Sequence, residues 1–139
     1  MTSQPFVREK RLHFSDCDPA GIVFYPNYFV MFNDLMETWV DEGLGIGFEK
    51  LVIQRGIGMP TVRLEADFKA VSRMGDDVRL SLAVEHLGTR SLTLALACHS
   101  FGGELRMAVK QVIVTTSLQT HQAIAVPDDM REAIGRMHA

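Results

Sequence analysis

Two aspartates spaced two apart, Asp16 and Asp18, sit in the run FSDCDPAGIVFYPNY (residues 14–28), and a Pro-Ala-Gly turn leads from them into a helix start at Pro26. A carboxylate close in sequence to the unpaired N–H groups of a helix N-terminus suits acyl transfer. The acid attacks a carbonyl or activates water to do so, and the donors stabilise the oxyanion that forms. Asp18 is the candidate for that role, although Asp-Pro also opens loops and Asp also caps helices, so a turn-forming role stands beside the catalytic one. Asp16 suits holding the loop through backbone hydrogen bonds, since two ionised acids so close disfavour each other. Cys17 between them is a second possible nucleophile, but no histidine near it in sequence is placed to activate it.

The elements that must hold this run follow from periodicity. Residues Val7 to Phe14 read as a first strand, with Leu12 and Phe14 alternating against Arg11 and His13. Pro26 fits a first helical turn, where its missing N–H loses nothing, and Phe29, Phe32, Met36, Trp39 and Val40 recur at helical spacing up to a stop at Gly43. A shorter helical stretch from Phe48 to Gln54 precedes Gly56 and Gly58. Period-two alternation then predicts strands at Val62–Phe68, Val78–Val84, Leu92–Leu96 and from Leu105 onward. In the last of these the apolar register jumps from Val109 to Val112, which predicts a bulge near Lys110 or Gln111. Met74-Gly75-Asp76-Asp77 and Phe101-Gly102-Gly103-Glu104 have the chemistry of turns between antiparallel strands, and Pro127 to Met137 reads as a final helix.

One long helix followed by a run of strands is an α+β arrangement in which the sheet covers the helix. It leaves strand edges and surplus apolar surface, so oligomerisation is expected. At 139 residues and 47% hydrophobic the chain fills one domain and has no room for a second. A net charge of −3 gives no basic field for nucleic acid or an anionic membrane. The N-terminus MTSQPFVREKRLHF breaks its apolar residues with charges, and no later segment approaches the ~20 apolar residues of a membrane span, so a cytoplasmic protein is expected. Cys17 and Cys98 read as reduced thiols. His13, His86, His99, His121 and His138 show no paired ligand spacing, and no metal site is expected. Met31, Met36 and Met59 suit adaptable core filling.

The run from Asp16 to Tyr28 resembles the active-site loop and helix start of the hotdog-fold acyl-CoA thioesterases of the 4-hydroxybenzoyl-CoA thioesterase type. Element order and length agree over nearly the whole chain. The resemblance implies a single hotdog domain over residues 1–139, a curled antiparallel sheet wrapped around one long helix. It also implies edge-to-edge pairing with a second subunit, active sites at the interface, and a homo-oligomer that is a dimer at minimum, with a tetramer favoured. It implies hydrolysis of an acyl-CoA to free acid and coenzyme A, with coenzyme A part of the substrate and no separate cofactor.

By the same resemblance Asp18 is catalytic, as nucleophile or as general base, and the backbone N–H of Tyr25 polarises the thioester carbonyl. Gly21, Phe24, Asn33 and Met59 are the substrate-binding candidates. Asn33 stands where the hydroxybenzoyl enzyme carries an acid facing the acyl group. An amide brings no charge, so the expected substrate is an aryl- or short to medium-chain acyl-CoA with no strong preference for a 4-hydroxyl. Arg90 and Ser91 fall on the loop that holds coenzyme A phosphates, where Gly88 and Thr89 replace further basic residues of the family. Two other functions remain open. A hydratase of this fold needs an Asp–His pair, and the helix start offers no histidine; a non-catalytic acyl-CoA binder or oligomeric scaffold would not need Asp18.

Overall fold

The period-two stretches become strands and the long helical-period stretch becomes the helix they enclose, in a computed structural model that describes residues 4–137. Strand β1 (Phe6–Arg11) precedes helix α1 (Tyr25–Thr38). There follow β2 (Ile57–Gly58), β3 (Thr61–Phe68), β4 (Asp77–Leu87), β5 (Ser91–Ser100), β6 (Leu105–Val114), β7 (Thr116–Ser117) and helix α2 (Asp128–Met137). The main sheet runs β1-β4-β5-β6-β3, antiparallel throughout, and β2 pairs with β7 beside it. This is the α+β hotdog fold.

Helix α1 has Pro26 in its first turn and buries Tyr28, Met31, Phe32, Leu35 and Met36. It continues through a wider turn, Trp39–Gly43, which buries Trp39 and Val40 completely. Against it pack the inward residues of the central strands, among them Leu80, Leu82, Leu94, Leu96 and Met107. Truncating a core side chain as large as Trp39 to Ala would cost about 3–5 kcal/mol, because a close-packed interior refills such a hole only in part. No described helix is long and apolar enough to cross a membrane.

Three local expectations are corrected. Strand β1 stops at Arg11, and Phe14 enters a tight 3₁₀ turn (Phe14–Asp16) with its ring 72% exposed, so the inward pattern ends at Leu12. No bulge occurs at Lys110 or Gln111, which pair in register with both neighbouring strands. Met107, Val109, Gln111 and Ile113 all face the core, and Gln111 is a buried polar residue in an unbroken alternation. The register shifts fall elsewhere: between Thr61 and Arg63 in β3, Val84 and His86 in β4, and Cys98 and His99 in β5. Finally, Met74–Asp77 makes no hairpin, because β3 and β4 lie at separate places in the sheet and the segment between them crosses from one to the other. Phe101–Glu104 does join a true hairpin, β5–β6, closed by Gly103 N–H to Ser100 O at 2.9 Å.

Strand β3 is an outer strand of the sheet, and its apolar residues are left uncovered. Val62, Leu64 and Phe68 are 61, 45 and 52% exposed.

Candidate active site

The loop between β1 and α1 folds back on itself. Phe24 N–H donates to Asp16 O at 3.1 Å and Asp18 N–H to Ile22 O at 3.0 Å, with Cys17 bridged to Val23 between them. At the tip Gly21 N–H donates to Asp18 O at 2.9 Å. Gly21 has φ +79°, a left-handed conformation that a side chain would strain. Behind the loop, Val23 N–H reaches Ser72 O and Met74 N–H reaches Gly21 O, which docks it on the segment ahead of β4.

Within this frame the two aspartates separate in role. Asp16 Oδ2 accepts His13 N–H at 2.9 Å and lies 3.1 Å from Lys10 Nζ, so this carboxylate holds the loop. Asn27 adds a hydrogen bond from its side-chain amide to Asp16 O at 3.0 Å. Lys10 and Asn27 were not among the expected site residues; Asn27 was visible inside the motif, whereas Lys10 reads in sequence as a solvated charge. The Asp18 carboxylate accepts Ala20 N–H through Oδ1 at 2.8 Å. The turn-forming bond therefore leaves Oδ2 available, since it has no partner among the described residues.

Tyr25 is the first residue of α1, and Phe24 caps it with its ring 5.6 Å from that of Tyr25. Pro26 carries no N–H and Asn27 N–H turns back to Phe24 O at 2.8 Å, which leaves the Tyr25 N–H without a backbone acceptor among the described residues. It is a free donor at the positive end of a 14-residue helix. A cavity of about 270 Å³ opens beside it, lined by Ile22, Val23, Tyr25, Tyr28, Phe68 and Ser72.

Neither thiol has its thiolate favoured by its surroundings. Burial, then the charges of Asp16, Asp18 and Asp76, push the Cys17 thiol above its ordinary range. Cys98 is fully buried and its thiol is pushed up to about 11, burial outweighing the opposing effects of Arg106 and Ser72. Among the described residues no group of three His, Cys, Asp or Glu side chains is placed to hold a metal ion; His138 lies outside them.

Asp18, Gly21, Phe24 and Tyr25 follow one another along the loop and helix entry, with Tyr25 alone of the four lining the cavity there, and the remaining expected residues lie apart. Asn33 lines a separate cavity of about 170 Å³ with Phe29, Phe32, Leu64, Thr61 and Gln111. Gln111 Nε2 donates there to Thr61 Oγ1 at 2.7 Å, a polar contact that sequence periodicity had read as a bulge. Arg90 lies in the β4–β5 turn and Ser91 opens β5. Ser91 pairs with Val114, and the neighbouring Ile113 pairs with Thr61, so this turn and Met59 sit at the Thr61 end of β3. Tyr25 instead packs edge-on against Phe68 at the other end, ring centroids 6.0 Å apart. Between these ends run the eight residues of β3, ~23 Å at the rise of an extended strand. Met59 is half-buried against the core, and Arg90 is exposed.

An acid with one free oxygen, on the loop that leads into an unpaired helix-terminal donor, suits hydrolysis of an activated acyl group. On this fold that makes the protein a hotdog thioesterase, an enzyme of the acyl-CoA thioesterase class. The chain belongs to the thioesterase-like superfamily, whose profile matches residues 12–134. It is similar to a 4-hydroxybenzoyl-CoA thioesterase of Pseudomonas sp. (strain CBS-3), 26% identical over 145 residues that cover 94% of this chain and 97% of the other. Among solved structures, a thioesterase superfamily protein from Jannaschia sp. CCS1 superposes with a TM-score of 0.86 at 26% identity, covering 96% of this chain and 93% of the other. A gentisyl-coenzyme A thioesterase superposes with a TM-score of 0.81 at 27% identity, covering 91% and 99% respectively.

Proposed function

We propose that the chain, as one hotdog domain over residues 1–139, hydrolyses an aryl- or short to medium-chain acyl-CoA to free acid and coenzyme A in the cytoplasm, with no additional cofactor. The observation that carries this reading is the partner-free Oδ2 of Asp18 on the loop that ends at the unpaired Tyr25 N–H. As nucleophile, Oδ2 bonds to the thioester carbon, the C–S bond breaks and the thiolate leaves; water then cleaves the mixed anhydride and restores the carboxylate. As general base, Asp18 takes a proton from the water that attacks instead. In either case the Tyr25 N–H receives the carbonyl oxygen as charge develops on it, and the helix dipole favours that charge. Thiolate is a good leaving group, so no strong acid is needed at its departure.

The distance along β3 motivates the assembly. Two copies pairing along their uncovered β3 edges in antiparallel fashion would set the Thr61 end of each against the Phe68 end of the other. Arg90 and Ser91 of one protomer would then serve the Asp18 and Tyr25 of its partner, and Val62, Leu64 and Phe68 would be covered. We propose a dimer at minimum, with two dimers forming a tetramer. A non-catalytic binder or scaffold would have no use for a carboxylate oxygen kept free, and neither the helix entry (residues 16–28) nor the rest of α1 carries a histidine to serve a hydratase.

The acyl group is read from Asn33, Thr61 and Gln111, which give the second cavity polar but uncharged atoms among apolar walls. Gln111 already donates to Thr61, so the site is not built around one phenolic hydroxyl. Thiol release measured across aromatic, short and long acyl-CoAs tests the proposal. Turnover is expected for aryl and short to medium chains, with kcat/KM for 4-hydroxybenzoyl-CoA less than ~1000-fold above benzoyl-CoA, since a larger ratio requires a site dedicated to that hydroxyl. No thiol release from any of them would refute the enzyme reading.

A further inference from the structure

The Gly88–Ser91 turn is held by three points of the chain beyond β6: Thr115, Val126 and Arg131. Arg131, on α2, donates through Nη2 to Gly88 O at 2.7 Å and to Thr89 O at 3.4 Å. Val126 N–H donates to Thr89 O at 2.9 Å, and Thr115 N–H to Arg90 O at 3.0 Å. Thr115 is itself fully buried, with its hydroxyl fixed to Ile124 O at 2.7 Å. Three successive carbonyls of one exposed turn are thus directed into the protein. Gly88 N–H closes the turn on Ser91 O at 2.8 Å, and a Cβ at Gly88 would come within 2.8 Å of Ser91 Oγ, so a side chain there would force the Ser91 hydroxyl to move.

A turn that meets phosphate must hide its carbonyl oxygens, because their partial negative charge repels the anion as surely as N–H groups attract it. We infer that Arg131 is a positioning residue for the nucleotide end of the substrate: it holds the Gly88 and Thr89 carbonyls inward so that Arg90 and Ser91 face the phosphates. This rests on the reading that coenzyme A phosphates sit at the β4–β5 turn. Both carbonyls are served by the one nitrogen Nη2, at the end of a planar, always charged guanidinium whose geometry is fixed before the bonds form. In sequence Arg131 reads only as a charge on the polar side of an amphipathic helix. Its half-burial against a turn more than forty residues away is what gives it this second role.

The test compares benzoyl-CoA with S-benzoylpantetheine, which carries the same thioester and no nucleotide, on Arg90→Ala, Arg131→Met and Arg131→Lys. Arg131→Met is expected to raise KM for benzoyl-CoA about tenfold with kcat within about twofold, because nucleotide contacts far from the thioester contribute uniform binding. KM for S-benzoylpantetheine should not change, and Arg131→Lys should recover part of the loss. If Arg90→Ala raises KM selectively for benzoyl-CoA while Arg131→Met leaves both substrates alone, or weakens both equally, Arg131 has no positioning role. If Arg90→Ala affects neither substrate, the phosphate site is not at this turn and the inference fails with that reading. Should Arg131→Met fail to fold, Arg131→Lys on the same two substrates decides: a KM rise confined to benzoyl-CoA supports the inference, and equal effects on both overturn it.

Discussion

Asp18→Asn separates chemistry from folding at the catalytic loop. The Ala20 N–H bonds to Oδ1 of Asp18 at 2.8 Å, and an asparagine carbonyl can take that bond in place, so the turn that sets Gly21 at φ +79° survives. What disappears is the charge and the basicity of the free oxygen. Removing a principal nucleophile or base should lower kcat at least ~100-fold, equivalent to about 2.7 kcal/mol of barrier at 1.36 kcal/mol per decade. Stability should shift by less than about 0.5 kcal/mol, as for a substitution that leaves its structural bond intact. Asp18→Ala removes the chemistry and the turn bond together, and the lost hydrogen bond is worth about 1 kcal/mol. For a chain of this size that is a fall in Tm of about 4 °C. The two variants should therefore be equally inactive in a thiol-release assay but separate in scanning calorimetry, Asp18→Asn melting with the parent and Asp18→Ala below it. Parent-like melting of Asp18→Asn with kcat within about tenfold of the parent would refute the reasoning, since the carboxylate would then serve the turn alone. An acyl adduct on the protein, trapped by acid quench in a single turnover, would assign Asp18 the nucleophilic role.

Arg90→Ala should raise KM for acyl-CoA more than it lowers kcat, and added salt should reproduce the effect in the parent; equal KM values for mutant and parent would remove Arg90 from the site. Val62→Lys places a charge on the uncovered β3 edge and should lower the mass found by light scattering from dimer or larger to monomer, with activity falling alongside; a fully active monomer at micromolar concentration would contradict the shared site. Because burial and three neighbouring carboxylates raise the Cys17 thiol, its thiolate forms only as pH climbs past the ordinary thiol range, so its alkylation rate should still be rising above about pH 9. Cys17→Ala should keep kcat within a few-fold of the parent, and a loss as large as that of Asp18→Asn would reopen the thiol as nucleophile.

The loop half of the candidate site was legible because it is local. Asp16, Cys17 and Asp18 pair with Phe24, Val23 and Ile22 only a few residues away, so the turn residues that make the hairpin and the residues proposed for the chemistry are read together. The strands and α1 were legible for the same reason, since each carries its own period. Gln111 was misread because a polar residue on an inward position and a slip in register look alike in one strand. They differ only in what lies opposite, and the hydroxyl that accepts from Gln111 belongs to Thr61, fifty residues away. Arg131 was invisible for a like reason, its carbonyl partners lying on another element.

Strand β3 poses a different case. Its alternation was read correctly, yet Val62, Leu64 and Phe68 stay exposed, so the surface that this pattern anticipates is absent from the protomer. The same strand separates Arg90 and Ser91 from Asp18 and Tyr25, at opposite ends of eight extended residues. Each difficulty alone admits several remedies: a loop could cover an edge, and a long substrate could bridge a distance. One two-fold pairing of β3 with its copy meets both, because antiparallel strands bring unlike ends together while burying what each leaves bare. On the proposed pairing the assembly state belongs to the active site itself, and a substitution on the edge at Val62, which lines neither cavity, should lower activity in proportion to the protomer it releases.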